Sequence, residues 1–361
     1  MDSLTQFVLG AGVAVACLGP KTGARKAALI GGVLGTLPDL DVLYPFADPV
    51  ASFTLHRSAT HSLLVQALAT PVVAEPLVRL FDGLKGERSR TWIAVYLVFA
   101  THALLDGLTI YGTRLLWPLV ETPFGLGSVF IIDPLYTLPL LVVTVWALFV
   151  GGWTPRLARA VTAALVLSTA YQGWAIVEQR LVTERARTAL DAHGVTPERL
   201  MATAMPFNTL LWRAIAIDGD RYYNLYLPVF GNAPPALHAH RRLPPGGTCI
   251  ERLPAAATLA AFAHGFYRVD LEGRYLVLSD LRMGLTPAYV FRFAVAEVGG
   301  SGAAVEIPPV RMPQTERAAA GDWEWLAAGI AGDIRPRPGE DGAVGAATRI
   351  AQAPETAPQG C

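Results

Sequence analysis

The chain has 361 residues, of which 52% are hydrophobic and 16% charged, and its formal net charge is zero. A mean hydropathy of +0.38 is too high for an ordinary water-soluble protein of this size and points to membrane-spanning segments. Neutral net charge leaves no footprint for a nucleic-acid partner. Three scattered cysteines (Cys17, Cys249, Cys361) with no CxxC pair argue against a disulfide framework or a thiolate metal cluster.

The opening "MDSLTQFVLG" has no basic residues ahead of its apolar run; Lys21, Arg25 and Lys26 follow it. It therefore reads as a retained first span rather than a cleaved signal peptide. Six segments have the length and apolarity expected of membrane helices: 4–20, 27–44, 60–80, 92–112, 129–150 and 157–177. The first two are rich in Gly and Ala and are expected to pack closely inside a helical bundle. Basic residues gather in alternate turns: Lys21, Arg25 and Lys26, then Arg79, Lys85, Arg88 and Arg90, then Arg156 and Arg159. The positive-inside rule puts these turns in the cytoplasm, and the N-terminus and everything after about residue 180 outside.

Beyond Arg180 the sequence becomes polar and then strand-like. "FNTLLWRAIAIDGDRYYNLYLPVF" reads as two strands around a hairpin signal at Asp218-Gly219-Asp220, and shorter strands follow. The expected architecture is thus an all-α membrane bundle of about six helices (residues 1–180), then a small soluble α+β domain (181–332). A Gly-, Ala- and Pro-rich tail over 333–361 is expected to be disordered.

Three ionisable clusters fall in the apolar half: Asp39 and Asp41 in "LPDLD", His56, Arg57 and His61 in "HRSATH", and His102 and Asp106 in "THALLD". The topology drawn from Lys and Arg alone brings all three to one membrane depth, where ionisable groups are costly and usually functional. His102 and Asp106, four residues apart, share a helical face. Asp39 and Asp41 follow Pro38, which suits an extended or turning backbone aiming both carboxylates at one centre. His56 belongs to the entering loop and His61 to the first helical turn, with Ser58 or Thr60 as its cap. Imidazoles and carboxylates form a ligand set for Zn²⁺, with Mn²⁺ or Fe²⁺ as alternatives, and six candidates leave room for two ions or for supporting roles. Asp133 before Pro134 reads as a helix N-cap.

"LPDLD", "HRSATHS" and "THALLDGLTIYGTRLLWP", in this order, with "FIIDPLYTLPLL" and the opening segment, resemble the YdjM-type inner-membrane metal-dependent hydrolases of bacteria over roughly residues 1–180. The resemblance implies a metal-dependent hydrolytic site and carries over onto Asp39, Asp41, His56, His61, His102 and Asp106. Many relatives have a Thr-His pair where this chain has Thr5-Gln6, which puts a first-helix ligand in doubt. The expected roles are metal ligation by Asp39, Asp41, His61, His102 and Asp106, acid–base work by His56, and a substrate-anion fork from Arg57. Membrane lipids are the expected partners, and a lipid ester or phosphoester at the outer face the expected substrate. A metal- or proton-coupled transporter and a structural metal are the competing readings.

Overall fold

A computed structural model describes residues 1–150, 152–231, 234–243, 252–299, 304–313 and 320–340. Cys249, Cys361 and the tail from 341 onward lie outside the described residues. Seven helices come first: α1 (Ser3–Thr22), α2 (Ala24–Thr36), α3 (Pro49–Leu55), α4 (Leu63–Leu80), α5 (Arg88–Gly107), α6 (Pro134–Phe149) and α7 (Pro155–Ala192). Strands β1 (Arg199–Ala204), β2 (Leu211–Asp218), β3 (Arg221–Pro228) and β4 (Leu237–Arg241) follow, then α8 (Pro254–Phe262). The rest comprises β5 (Tyr267–Glu272), β6 (Tyr275–Asp280), β7 (Gly284–Leu285), β8 (Ala288–Tyr289), β9 (Arg292–Val298), β10 (Ala304–Arg311) and α9 (Asp322–Ile330). Two compact units result: residues 1–44, 56–177 and 206–209, and residues 45–55, 178–205 and 210 onward.

The first unit is helical. Asp2 starts α1 by accepting from the backbone N–H groups of Leu4 and Thr5. Helices α1 and α2 approach so closely that a Cβ on Gly10 would lie 2.3 Å from the Gly31 carbonyl oxygen. Reciprocally, a Cβ on Gly31 would meet the Gly10 oxygen at 2.2 Å, and one on Gly35 the Gln6 oxygen at 2.5 Å. Small residues four apart on each helix make this contact possible. Asp133 caps α6 through Leu135 N and Tyr136 N at 3.0 and 3.2 Å, as Asp-Pro predicts.

Among the described residues three helices, α1, α4 and α7, are long and apolar enough to cross a membrane. The other three expected spans fall short of that length or apolarity for identifiable reasons. The second apolar segment leaves α-helical geometry at Leu37, so α2 has 13 residues, and α6 has 16. Helix α5 has the length but carries Arg88, Arg90, His102 and Asp106. The basic turns gather at one end of this unit. Lys21 pairs with Glu87, Arg90 donates to Cys17 O at 3.5 Å, and Arg25 donates to Leu148 O at 2.6 Å.

The second unit is α+β. One antiparallel sheet runs β1-β2-β3-β4 and another β10-β9-β6-β5, with β7-β8 a short hairpin. The Asp218–Arg221 hairpin forms where expected, with Gly219 supplying the positive φ of +55° its tight turn requires. Two boundaries differ from the sequence expectation. Residues 45–55, placed with the membrane helices by sequence, belong to this unit because Val50 of α3 is buried in its core and Phe53, partly buried, packs against it. Phe53 stacks on Phe291 with centroids 4.3 Å apart and meets Phe262 edge-on.

The tail expected to be disordered from 333 is packed as far as Glu340. Arg337 donates to both Asp322 oxygens at 2.9 and 2.7 Å, and Glu340 is fully buried, accepting from Asn224 at 3.0 Å and Tyr226 at 2.6 Å and pairing with His240. The packing there is polar, so a scarcity of bulky apolar residues was the wrong signal.

Candidate metal centre

Four of the expected ligands converge in the first unit. Asp39 Oδ1, His61 Nε2, His102 Nε2 and Asp106 Oδ2 lie on different elements except for the last pair, one turn apart on α5, and one donor atom from each residue lies within 4.8 Å of the others. His61 Nε2 is 3.0 Å from His102 Nε2, 3.4 Å from Asp39 Oδ1 and 3.3 Å from Asp106 Oδ2. His102 Nε2 is 3.6 Å from Asp39 Oδ1 and 3.7 Å from Asp106 Oδ2. His61, His102 and Asp106 are buried.

The outer hydrogen bonds fix which atoms face inward. His102 Nδ1 is 2.7 Å from the Gly35 carbonyl oxygen, which can only accept, so Nδ1 carries the proton and Nε2 presents a lone pair. Thr60 Oγ1 donates to Asp41 Oδ2 at 3.0 Å and therefore accepts from His61 Nδ1 at 2.9 Å, which leaves His61 Nε2 with a lone pair too. Asp39 Oδ1 and Asp106 Oδ2 are buried without a hydrogen bond among the described residues. Four electron pairs thus face one another with no proton between them, an arrangement that a cation resolves. Tetrahedral zinc with bonds of about 2.0–2.1 Å has donor–donor edges of roughly 3.3–3.4 Å, close to the 3.0–3.7 Å of the five pairs that involve a histidine, and all pairs lie within 4.8 Å. The residues fit a single divalent ion.

Asp41 stands beside this cluster rather than in it. The "LPDLDVL" segment is a 3-10 helix, Leu37–Leu43, and at three residues per turn carboxylates two apart point in different directions. Asp39 turns to the cluster. Asp41 turns to the loop after α3, accepting from Arg57 N at 2.9 Å and Thr60 Oγ1 at 3.0 Å, with Oδ1 2.7 Å from His56 Nδ1. Its shortest approach to His61 is 3.9 Å. Of the extended or turning backbone expected at 39–41 the turn is the one that forms, and it divides the two acids between two tasks instead of aiming both at one centre.

Arg57 adopts a left-handed φ of +63°, rare for a side chain with a Cβ. Its backbone is clamped on both sides, since its N–H donates to Asp41 while its carbonyl accepts from Arg114 N at 3.1 Å and Thr113 Oγ1 at 3.2 Å. The side chain places Nε 3.2 Å from Asp106 Oδ2 and Nη1 3.3 Å from Thr109 Oγ1. Backbone strain held so firmly next to buried polar groups is characteristic of a functional site.

Gln6 does not enter the cluster. Its Nε2 donates to Asp106 Oδ1 at 3.1 Å, and the Met1 amino group contacts the same oxygen, so both hold the carboxylate whose other oxygen faces inward. Asp133 is likewise absent from the cluster and bonds Tyr171 at 2.8 Å. Sequence reasoning missed Thr60, Thr109 and the Gly35 carbonyl as supports. Only the polar density of "HRSATHS" hinted at the first. The cap of α4 is Ser62, not Ser58 or Thr60, because a 3-10 turn at Ala59–His61 delays the helix.

No curated protein and no solved structure matches the chain. The family described as YdjM inner membrane protein matches residues 1–182, more than half the sequence and all of the metal-centre residues. With its apolar helices and this match, the chain belongs to the YdjM family of inner membrane proteins.

Proposed function

We propose that the protein is a membrane-embedded metal-dependent hydrolase acting on a lipid ester or phosphoester at the outer face of the inner membrane. The observation that carries this reading is the set of two imidazole lone pairs and two undonated carboxylate oxygens around one point. Zinc suits that set best, with manganese or iron as alternatives. A divalent ion there supplies electrophilic polarisation of a scissile carbonyl or phosphoryl group and acidifies a water.

This chain's own residues supply the rest. His56, with Nδ1–H donating to Asp41, keeps Nε2 free to take a proton from the attacking water and return it to the leaving group. Asp41 fixes that tautomer and ring orientation, as carboxylates do in other histidine sites. Arg57 stabilises negative charge developing on the substrate.

Orientation follows from charge. The basic turns lie around Lys21 and the cluster around Gln6, roughly 22 Å apart along α1 at 1.5 Å per residue. Positive-inside reasoning then places the centre, and the sheet-bearing unit after α7, on the periplasmic side of a multi-pass chain.

The test is metal analysis of detergent-purified protein followed by hydrolysis assays on ester and phosphoester lipids. Stoichiometric metal with chelator-sensitive hydrolysis supports the reading. Metal without hydrolysis of either class leaves a structural ion and overturns the enzymatic part, and protein purified without chelator but lacking metal overturns the whole.

A further inference from the structure

We infer that the centre takes amphiphiles whose head is an anionic phosphoester, held by Arg57, with the apolar chain laid along Leu37, Leu40 and Leu43. This rests on the metal-centre reading and narrows its substrate from esters in general to one charge class.

The first support is charge. Among the described residues the only carboxylate within 4.0 Å of the Arg57 guanidinium is Asp106, which is also a metal ligand. A divalent ion on Asp39 and Asp106 offsets both of their charges. Asp41 is occupied by Arg57 N, Thr60 and His56. The loaded site therefore leaves the guanidinium, its side chain 13% exposed, without a counter-ion of its own. Its Nε lies 3.2 Å from Asp106 Oδ2 without making a hydrogen bond, and among the described residues the terminal nitrogens make one, from Nη1 to Thr109. A planar fork with free donors beside a metal suits a phosphate better than a neutral ester.

The second support is the three-fold face of the 3-10 helix Leu37–Leu43. Residues three apart line up on such a helix. One face sends Asp39 to the metal cluster and another sends Asp41 to the His56 loop. The third carries Leu37, Leu40 and Leu43, exposed by 36%, 53% and 76%. The segment that supplies a ligand thus also presents an apolar ridge one residue away from it. A water-soluble phosphate would have no use for that ridge, whereas an acyl chain attached to a phosphate head would bury it.

The test uses the full chain in detergent with its metal content measured first. Inorganic phosphate, titrated and followed by ³¹P NMR, is expected to bind saturably. Arg57→Ala should weaken it about tenfold or more, with Arg57→Lys between the two, as loss of a forked charge-assisted contact implies. Metal content should stay unchanged in both variants. Lysophosphatidic acid is expected to displace phosphate at a concentration at least about tenfold below glycerol 3-phosphate, an advantage that burial of a few methylenes supplies. Leu40→Asn with Leu43→Asn should erase that difference. Metal-loaded protein whose phosphate affinity is the same in wild type and Arg57→Ala overturns the inference. Equal displacement by the two phosphates in wild type overturns its amphiphile half and makes the ligand a free phosphate. Absence of metal from the wild type is a different failure, that of the underlying reading, and removes this inference with it.

Discussion

His61 Nε2 and His102 Nε2 stand 3.0 Å apart, and each ring's Nδ1 is engaged elsewhere, with Thr60 and Gly35 respectively. Neither ring has a proton to place between them in its neutral form. The pair is held at this distance by elements remote in sequence, and a divalent ion among them would offset the repulsion of two lone pairs and two carboxylates beyond what Arg57 and the Met1 amino group do at Asp106. Single substitutions His61→Ala, His102→Ala, Asp39→Ala and Asp106→Ala should each reduce bound metal from one equivalent to a small fraction, read by elemental analysis. Chelation should lower the Tm of the wild type, since an ion at a hundred times its Kd stabilises by about 2.7 kcal/mol. The same chelation should leave the Tm of His102→Ala unmoved.

Asp41 and His56 make a prediction of the opposite kind. Because Asp41 bonds His56, Thr60 and the Arg57 backbone and stands outside the cluster, Asp41→Asn and His56→Ala should keep their metal. Hydrolysis should fall by roughly 10²–10⁴, the usual contribution of a positioned acid–base group. Loss of metal in Asp41→Asn would restore Asp41 to the ligand set that the sequence alone suggested.

Close packing of α1 on α2 places two supports of the centre, since Gly35 O receives His102 and Gln6 holds Asp106. A methyl group at Gly31 would lie 2.2 Å from the Gly10 oxygen, a clash with backbone that no rotamer relieves. Gly31→Ala should therefore separate the helices and weaken metal binding without touching a ligand. Overpacking typically costs ~1–3 kcal/mol. A metal titration showing unchanged affinity in Gly31→Ala would mean that the centre does not depend on this contact.

Much of the centre was legible because its chemistry is unusual for its surroundings. His61, His102 and Asp106 stand out in apolar sequence, and the i,i+4 spacing of the last two survives folding unchanged. The division of labour between Asp39 and Asp41 was not legible, since it turns on a 3-10 pitch that the pattern "LPDLDVL" does not distinguish from an extended turn. Helix count suffered for the same reason, as apolar residues continue through 37–43 after α2 has ended. The sheet unit declared its hairpin through Asp218-Gly219-Asp220, yet concealed that α3 belongs to it. Val50 and Phe53 lie between two metal-centre segments in sequence, and only their packing on Phe262 and Phe291 reveals their allegiance.

Glu340 offers the last test, in the second unit. Burial pushes its carboxyl up, but the hydrogen bond and charge of His240, the Tyr226 hydroxyl and the Arg213 charge outweigh this and hold it below the usual glutamate value. A carboxyl depressed by folding contributes stability that is fully present above its unfolded pKa, near 4.5, and is lost as pH falls through the lower folded value. The segment 333–340 should therefore stay clasped to β3 and β4 at neutral pH and release in acid below about pH 4.5. Limited proteolysis with pepsin across that range should show cleavage near Arg335 rising as pH drops. Glu340→Gln removes the charge while keeping the shape, leaves His240 with a weaker partner, and should cost about 1–3 kcal/mol. The acid dependence of cleavage should flatten in that variant, and a wild-type profile already flat between pH 6 and pH 3 would show that Glu340 is not what holds the segment down.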